Sequence, residues 1–207
     1  MLTLLYINSS ARKASSVSRA LSSEFVQGWK RANPTGKVIE RDLTATPLPH
    51  LDDAFVEASY TPAEARTPKQ VKVLELSDQL IDELLAADIV VMASPMYNFS
   101  VSSVLKAWID HVLRPGRTFS YDDSGAIGLV SDRRVIVFTA RGGFFSQGEG
   151  KSLDFQETYL RGMFGFVGIS QVEFMHTEGL SYNQDAAAKA IEATRASIPG
   201  LINFKYA

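Results

Sequence analysis

Five short apolar runs, each followed by a longer stretch of helical periodicity, constrain this chain more than any other feature. The runs occupy residues 2–7, 37–43, 88–93, 133–140 and 169–176. Over residues 18–31, Leu21, Phe25 and Trp29, continued by Ala32, recur at three- and four-residue steps, which places them on one helical face. Residues 69–87 repeat the pattern with Val73, Leu76, Leu80, Ile81, Leu84 and Leu85. Residues 101–113, 152–166 and 185–202 read as further helices. The run Ile89-Val90-Val91-Met92-Ala93 is apolar at every position, as suits a central parallel strand covered on both faces. Such alternation predicts an α/β protein: a five-stranded parallel sheet with helices on both sides. Residues 44–68, rich in Pro and Asp, read as a surface excursion with one short helix. No repeat, low-complexity tract or linker divides the chain, so a single domain over residues 1–207 is expected.

Composition narrows the function. Cysteine is absent, which excludes thiol nucleophiles, disulfides, iron–sulfur clusters and thiolate zinc sites. Lys and Arg number 21 against 23 Asp and Glu, a balance that argues against a basic nucleic-acid-binding face. The longest apolar runs are about five residues, far from the roughly 20 that cross a bilayer. Residues 1–7 read as a buried first strand and not as a signal peptide. A soluble, cytoplasmic protein with no nucleic-acid or membrane partner is therefore expected. His50, His111 and His176 are scattered without metal-ligand spacing, and no Gly-x-Ser-x-Gly elbow is present. Asp52-Asp53 and Asp122-Asp123 read as solvated turns.

In open parallel sheets ligands bind beyond the carboxyl ends of the strands, where strand order reverses. Three strand-end loops therefore matter. The first, Asn8-Ser9-Ser10-Ala11-Arg12-Lys13-Ala14-Ser15-Ser16-Val17-Ser18-Arg19, sets five serines ahead of a helix N-terminus, whose free N–H groups favour an anion. It lacks the Gly-x-Gly-x-x-Gly pattern of a pyrophosphate site and suits a phosphate monoester. The second, Ser94-Pro95-Met96-Tyr97-Asn98-Phe99-Ser100, offers apolar and aromatic surface for a flat ring and an amide for its polar edge. In the third, Ala140-Arg141-Gly142-Gly143, paired glycines let main-chain N–H groups approach a ligand closely. Gly148-Glu149-Gly150-Lys151-Ser152 ends like a P-loop, but Phe145 stands where that motif needs its first glycine. One phosphate-type loop and two ring-type loops fit flavin mononucleotide better than a dinucleotide.

These segments resemble the FMN-dependent NADH:quinone oxidoreductases, also called azoreductases. Pro95-Met96-Tyr97-Asn98-Phe99, the Ser9–Ser18 serine loop and Arg141-Gly142-Gly143 carry the likeness, and Arg41-Asp42-Leu43, Thr118-Phe119-Ser120-Tyr121 and Glu178-Gly179 follow in the family's order. The resemblance implies a flavodoxin-like three-layer sandwich and a homodimer with one non-covalent FMN per subunit near the dimer interface. By position, Ser10, Ser16, Val17 and Ser18 would hold the phosphate. Pro95, Met96, Tyr97, Asn98 and Phe99 would line the isoalloxazine, with Asn98 toward its central edge. Arg141, Gly142 and Gly143 would meet its pyrimidine side, and Ala140, where many relatives carry a hydroxyl residue, would offer only its backbone. Tyr121 and Phe166 resemble residues that shape the substrate pocket. Residues 144–153 fall where the family varies, and nothing is carried over there.

The expected activity is two-electron reduction of quinones and reductive cleavage of azo compounds by NADH or NADPH. Donor and acceptor would use the flavin in turn, with no side-chain nucleophile and no metal. Protons for the acceptor could come from solvent or from Tyr97 or Tyr121, Asn98 and Tyr121 could assist the flavin chemistry, and Arg12, Lys13 and Arg141 are candidate partners for an NADPH 2′-phosphate. Two alternatives are a flavodoxin-type electron carrier without nicotinamide turnover and a flavin-binding regulatory module.

Overall fold

The computed structural model describes residues 1–202. Its strands β1 (Thr3–Asn8), β2 (Lys37–Asp42), β3 (Ile89–Pro95), β6 (Arg134–Ala140) and β7 (Val172–Thr177) form one sheet in the order β2-β1-β3-β6-β7, every pairing parallel. The order reverses between β1 and β3, so the crevice beyond their carboxyl ends is the expected ligand position.

Alternation along the central strands builds two cores. Leu4, Tyr6, Ile89, Val91, Ile136 and Phe138 face one side, where they meet Leu21, Phe25 and Trp29 of α1 (Val17–Ala32) and Ile198 of α6 (Gln184–Ile202). Leu5, Ile7, Val90, Met92, Val135 and Val137 face the other. There they meet α3 (Pro68–Ala86), α4 (Ser103–Val112) and α5 (Phe155–Val167), with Trp108 fully buried at the centre. Covering both faces explains why β3 is buried along its whole length. Among the described residues, no helix is long and apolar enough to cross a membrane.

Several boundaries follow from caps. Thr67 and Gln70 form a reciprocal capping box that starts α3, with Pro68 in its first turn. Asp154 accepts from the N–H groups of Gln156 and Glu157, so α5 begins at Phe155, and residues 149–153 form a separate 3-10 turn instead of continuing the helix expected from 152. Gly168, in the left-handed region at φ 106°, ends α5.

Two sequence expectations need correction. Asp52 is exposed but caps a helix and not a turn: it starts α2 (Asp53–Tyr60), the short helix of the excursion, by accepting from Phe55 N–H at 2.8 Å. A two-stranded antiparallel hairpin, β4 (Phe119–Asp122) and β5 (Gly125–Gly128), lies outside the main sheet and was not foreseen. Gly125-Ala126-Ile127-Gly128 has almost none of the β-branched and aromatic content by which strands are read. Asp122 does serve a turn there, its carboxylate accepting from the N–H and hydroxyl of Ser124.

Candidate functional site

The serine loop is fastened to β3 before it reaches the helix. Ser9 donates to the Ala93 carbonyl from both N–H and hydroxyl, at 3.1 and 2.8 Å. Ser16 caps α1 by accepting from Arg19 N–H, and its hydroxyl lies 3.3 Å from that of Ser18. The N–H groups of Val17 and Ser18 find no acceptor among the described residues. Two first-turn amides and buried hydroxyls at Ser10, Ser16 and Ser18 thus gather at the positive end of a helix dipole. Arg19 is committed elsewhere: its guanidinium donates to both oxygens of Asp42 at 2.7 and 2.8 Å and to the Ser10 carbonyl at 2.9 Å. That pairing, with the bonds from Thr44, holds the Asp42 carboxyl far below the usual carboxylate range.

Beyond β3 the chain makes a two-residue hairpin. Tyr97 and Ser100 exchange N–H···O bonds of 3.0 and 3.1 Å around Asn98 at φ 49° and Phe99 at φ 69°. Tight turns of this hand need two left-handed residues; Asn accepts that region, whereas Phe is strained there by roughly 1–3 kcal/mol. The surroundings hold the strain in place: Phe155 N–H donates to the Phe99 carbonyl at 3.1 Å, and the Phe99 ring meets Phe145 edge-on at 5.9 Å. Tyr97 reaches the serine loop, its hydroxyl accepting from Ala11 N–H at 3.2 Å and lying 3.4 Å from Ser10 Oγ.

The glycine loop is braced by the segment after β7. The carbonyls of Arg141, Gly142 and Gly143 accept from Leu180, Ser181 and Gly179 at 3.1, 3.0 and 3.0 Å. The amides of Gly142 and Gly143 have no acceptor among the described residues. A Cβ on Gly142 would stand 2.8 Å from Ser181 Oγ, so a side chain there would make that hydroxyl turn away.

Arg141 itself departs from expectation. Its side chain is fully buried and donates to Gln156 at 3.1 Å, Glu178 at 3.0 Å and Asp154 at 3.2 Å. It braces the loop from within, its guanidinium engaged by three partners of this chain, and the residue borders the cleft. Gln156 extends the network by donating to the Ser94 carbonyl at 2.9 Å, tying α5 to the end of β3. Beside it, His176 bridges Thr139 Oγ1 at 3.0 Å and Glu157 at 2.8 Å, and burial pushes its pKa down. His111 is buried, with Nε2 3.0 Å from the Pro49 carbonyl. Both histidines are structural, and among the described residues no His, Asp and Glu group could hold a metal ion.

A cleft of about 400 Å3 joins the three loops. Ser10, Ser16, Val17, Pro95, Met96, Tyr97, Ala140, Arg141 and Gly142 border it, so nine of the sequence-predicted residues come together. Ser18 lies beneath it, wholly buried. Asn98 borders a neighbouring cavity of about 660 Å3 with Tyr97, Lys106 and Tyr159. Arg12, Ser15, Leu180 and Ser181 also border the first cleft, and sequence reasoning had not placed them there as a group. Leu180 and Ser181 come from the loop after β7, Glu178-Gly179-Leu180-Ser181-Tyr182, whose Gly, Ser and Tyr mark it as a strand-end loop like the other three. Tyr121 and Phe166 are not at either cavity: both pack against Phe119, at 5.6 and 4.8 Å, where the hairpin meets α5.

This arrangement has counterparts among known proteins. Residues 2–199 match the family model described as a flavodoxin-like fold. An FMN-dependent NADH:quinone oxidoreductase of Herminiimonas arsenicoxydans is 45% identical over 202 residues, covering 98% of this chain and 99% of that one. One from Pseudomonas fluorescens is 46% identical, covering 96% and 98% of the two chains. Among solved structures, the azoreductase from Bacillus anthracis str. Sterne superposes with a TM-score of 0.90 at 29% identity, covering 98% of this chain and 99% of that one. Sequence, topology and the position of the cleft agree, and the chain belongs to the flavodoxin-like family of FMN-dependent NADH:quinone oxidoreductases.

Proposed function

We propose that the chain is an FMN-dependent NAD(P)H oxidoreductase that reduces quinones by two electrons and cleaves azo compounds. The observation that carries this reading is the set of unpaired main-chain donors beside one cleft, at Val17 and Gly142, which border it, and at Ser18 and Gly143 next to them in the chain. The first pair, with the hydroxyls of Ser10, Ser16 and Ser18, fits a phosphate monoester. The second, with the apolar and aromatic surface of Pro95, Met96 and Tyr97 between, fits a planar ring that carries acceptors on one edge. FMN bound there supplies two-electron transfer between a nicotinamide and an acceptor. The protein's part is to orient the ring, keep its far side dry and present donors to charge on its pyrimidine edge. Asn98, exposed on the strained turn, is positioned to address the polar edge of the ring from the neighbouring cavity.

Family membership favours turnover over a carrier role, because the relatives named above are oxidoreductases. We further read the protein as a cytoplasmic homodimer, each chain a single domain. Tyr121 is 67% exposed and, with Leu129 at 44% and Ile127 at 39%, presents apolar surface away from the chain's own cleft. A second copy would carry Tyr121 and Phe166 to that cleft's mouth.

The deciding experiment is an absorbance spectrum of the purified protein, followed by anaerobic stopped-flow mixing with NADH and with NADPH. A yellow protein bleached by either nicotinamide and recoloured by a quinone supports the enzyme reading. Bound FMN that no nicotinamide bleaches would leave a carrier. Protein that stays colourless after incubation with FMN would overturn both. Sedimentation of the holoprotein tests the dimer.

A further inference from the structure

Glu178 lies on the loop after β7, one-tenth exposed, and all of its bonds go to one stretch of chain. One oxygen accepts from Arg141 at 3.0 Å and from the N–H groups of Phe145 and Ser146, both at 2.9 Å. The other accepts from the Ser146 hydroxyl at 2.5 Å. These contacts bracket Gly142 and Gly143, the two residues whose amides are free. Neighbouring contacts close the bracket: Gly179, Leu180 and Ser181 take the three carbonyls, and Phe144 lies over Gly179 so closely that a Cβ there would meet its ring at 2.6 Å. Burial pushes the Glu178 carboxyl up, but the bonds from Ser146, Phe145 and Arg141 outweigh it, and the group stays ionised below its ordinary range.

We propose that Glu178 is a positioning residue for flavin reduction: by pinning both flanks of the glycine pair it aims the Gly142 and Gly143 amides at the charge that develops on the ring. The inference rests on the FMN reading above. Oriented donors count most where charge appears, since they need no reorganisation at that moment. Removing the pin should therefore weaken binding of the reduced cofactor more than the oxidised one. Arg141 keeps Asp154, at 2.9 Å, as a counter-charge when Glu178 is removed, so the buried cation is not orphaned.

The test measures dissociation constants of oxidised and reduced FMN, and the two-electron midpoint potential, for wild type, Glu178→Ala, Glu178→Gln and Ser146→Ala. For Glu178→Ala we expect the preference for reduced FMN to fall about tenfold, which lowers the potential by about 30 mV. Glu178→Gln should sit between, because an amide oxygen can still accept from Phe145 and Ser146. Ser146→Ala should shift the potential least, and it carries the test with Glu178→Gln if the alanine variant does not fold. In the protein without cofactor, amide hydrogen exchange over residues 142–146 should quicken in Glu178→Ala alone. Equal losses of oxidised and reduced affinity, with the potential unmoved, would mean that Glu178 only stabilises the fold, and the proposal fails while the FMN reading stands. A wild-type protein that takes up no FMN removes both.

Discussion

The two ends of the cleft present similar donors by different means. At the serine end, main-chain N–H groups are set out by a helix terminus, and most of the supporting bonds are local: Ser16 serves Arg19, Ser18 leans on Ser16, and Arg19 returns to Ser10. At the glycine end, the amides of Gly142 and Gly143 are held by groups from two other segments, the start of α5 and the loop after β7, with a fully buried guanidinium at the hub. Local capping tolerates the loss of one member, because water can replace it at a half-open helix end. A buried charge network does not tolerate loss of its shared cation, since two buried carboxylates then lose their counter-charge in a poorly polarisable setting.

The sharpest way to break this contrast is Arg141→Ala. It leaves Asp154 and Glu178 buried without their shared cation, so we expect a loss of about 3–5 kcal/mol in urea unfolding. Arg141→Lys should recover only part of this, as one ammonium cannot reproduce the three-way fork. A loss below about 1 kcal/mol would place the two ends on the same footing.

Next in size is the double change Ser16→Ala with Ser18→Ala. Each lost hydrogen bond to a phosphate is worth about 1.5–3 kcal/mol, so FMN affinity should fall at least tenfold. The rate of flavin reduction at saturating NADH should change much less. Asn98→Ala should do the reverse. Equal effects of both variants on retention and on rate would erase the division between phosphate end and ring end.

How much of this was readable beforehand follows the same divide. The order of strands and helices, the crevice between β1 and β3 and the serine loop all rest on periodicity and local capping, which a single sequence displays. The role of Arg141 does not: an arginine before two glycines looks like a ligand contact, and only the fold brings Asp154, Gln156 and Glu178 to it from 13 to 37 residues away. The hairpin at residues 119–128 escaped because its second strand is built from Gly and Ala. Tyr121 and Phe166 are paired by resemblance, and the structure sets both against one phenylalanine, Phe119, a long-range contact that no local pattern displays.

A smaller test uses pH. The Asp42 carboxyl is held down in the folded state by Arg19, so its stabilising contribution is full above the unfolded carboxylate pKa, near 4. The contribution is lost as pH falls through the lower folded value. Asp42→Asn should cost about 1–2 kcal/mol at pH 7, discounted for partial exposure, and should flatten the acid limb of the stability curve. FMN affinity should weaken with it, because Arg19 also steadies the Ser10 carbonyl. An acid limb of unchanged slope in the variant would show that the serine end does not depend on this pair.

The smallest expected effect on stability is also the most discriminating. Phe99 occupies a left-handed position that glycine would adopt without strain. Phe99→Gly removes roughly 1–3 kcal/mol of strain but gives up an edge-on contact with Phe145 worth about 0.5–1.5 kcal/mol and adds about 0.5–1 kcal/mol of chain entropy. These terms nearly cancel, and the ring is 44% exposed, so the urea midpoint should move by less than about 1 kcal/mol. Flavin reduction should nonetheless slow several-fold, because the turn loses the aromatic surface it is strained to present. A stability loss above about 2 kcal/mol would mean that Phe99 is there for packing. In that event the turn would be held like the serine end, by contacts that stabilise the fold, and its strain would serve no separate purpose.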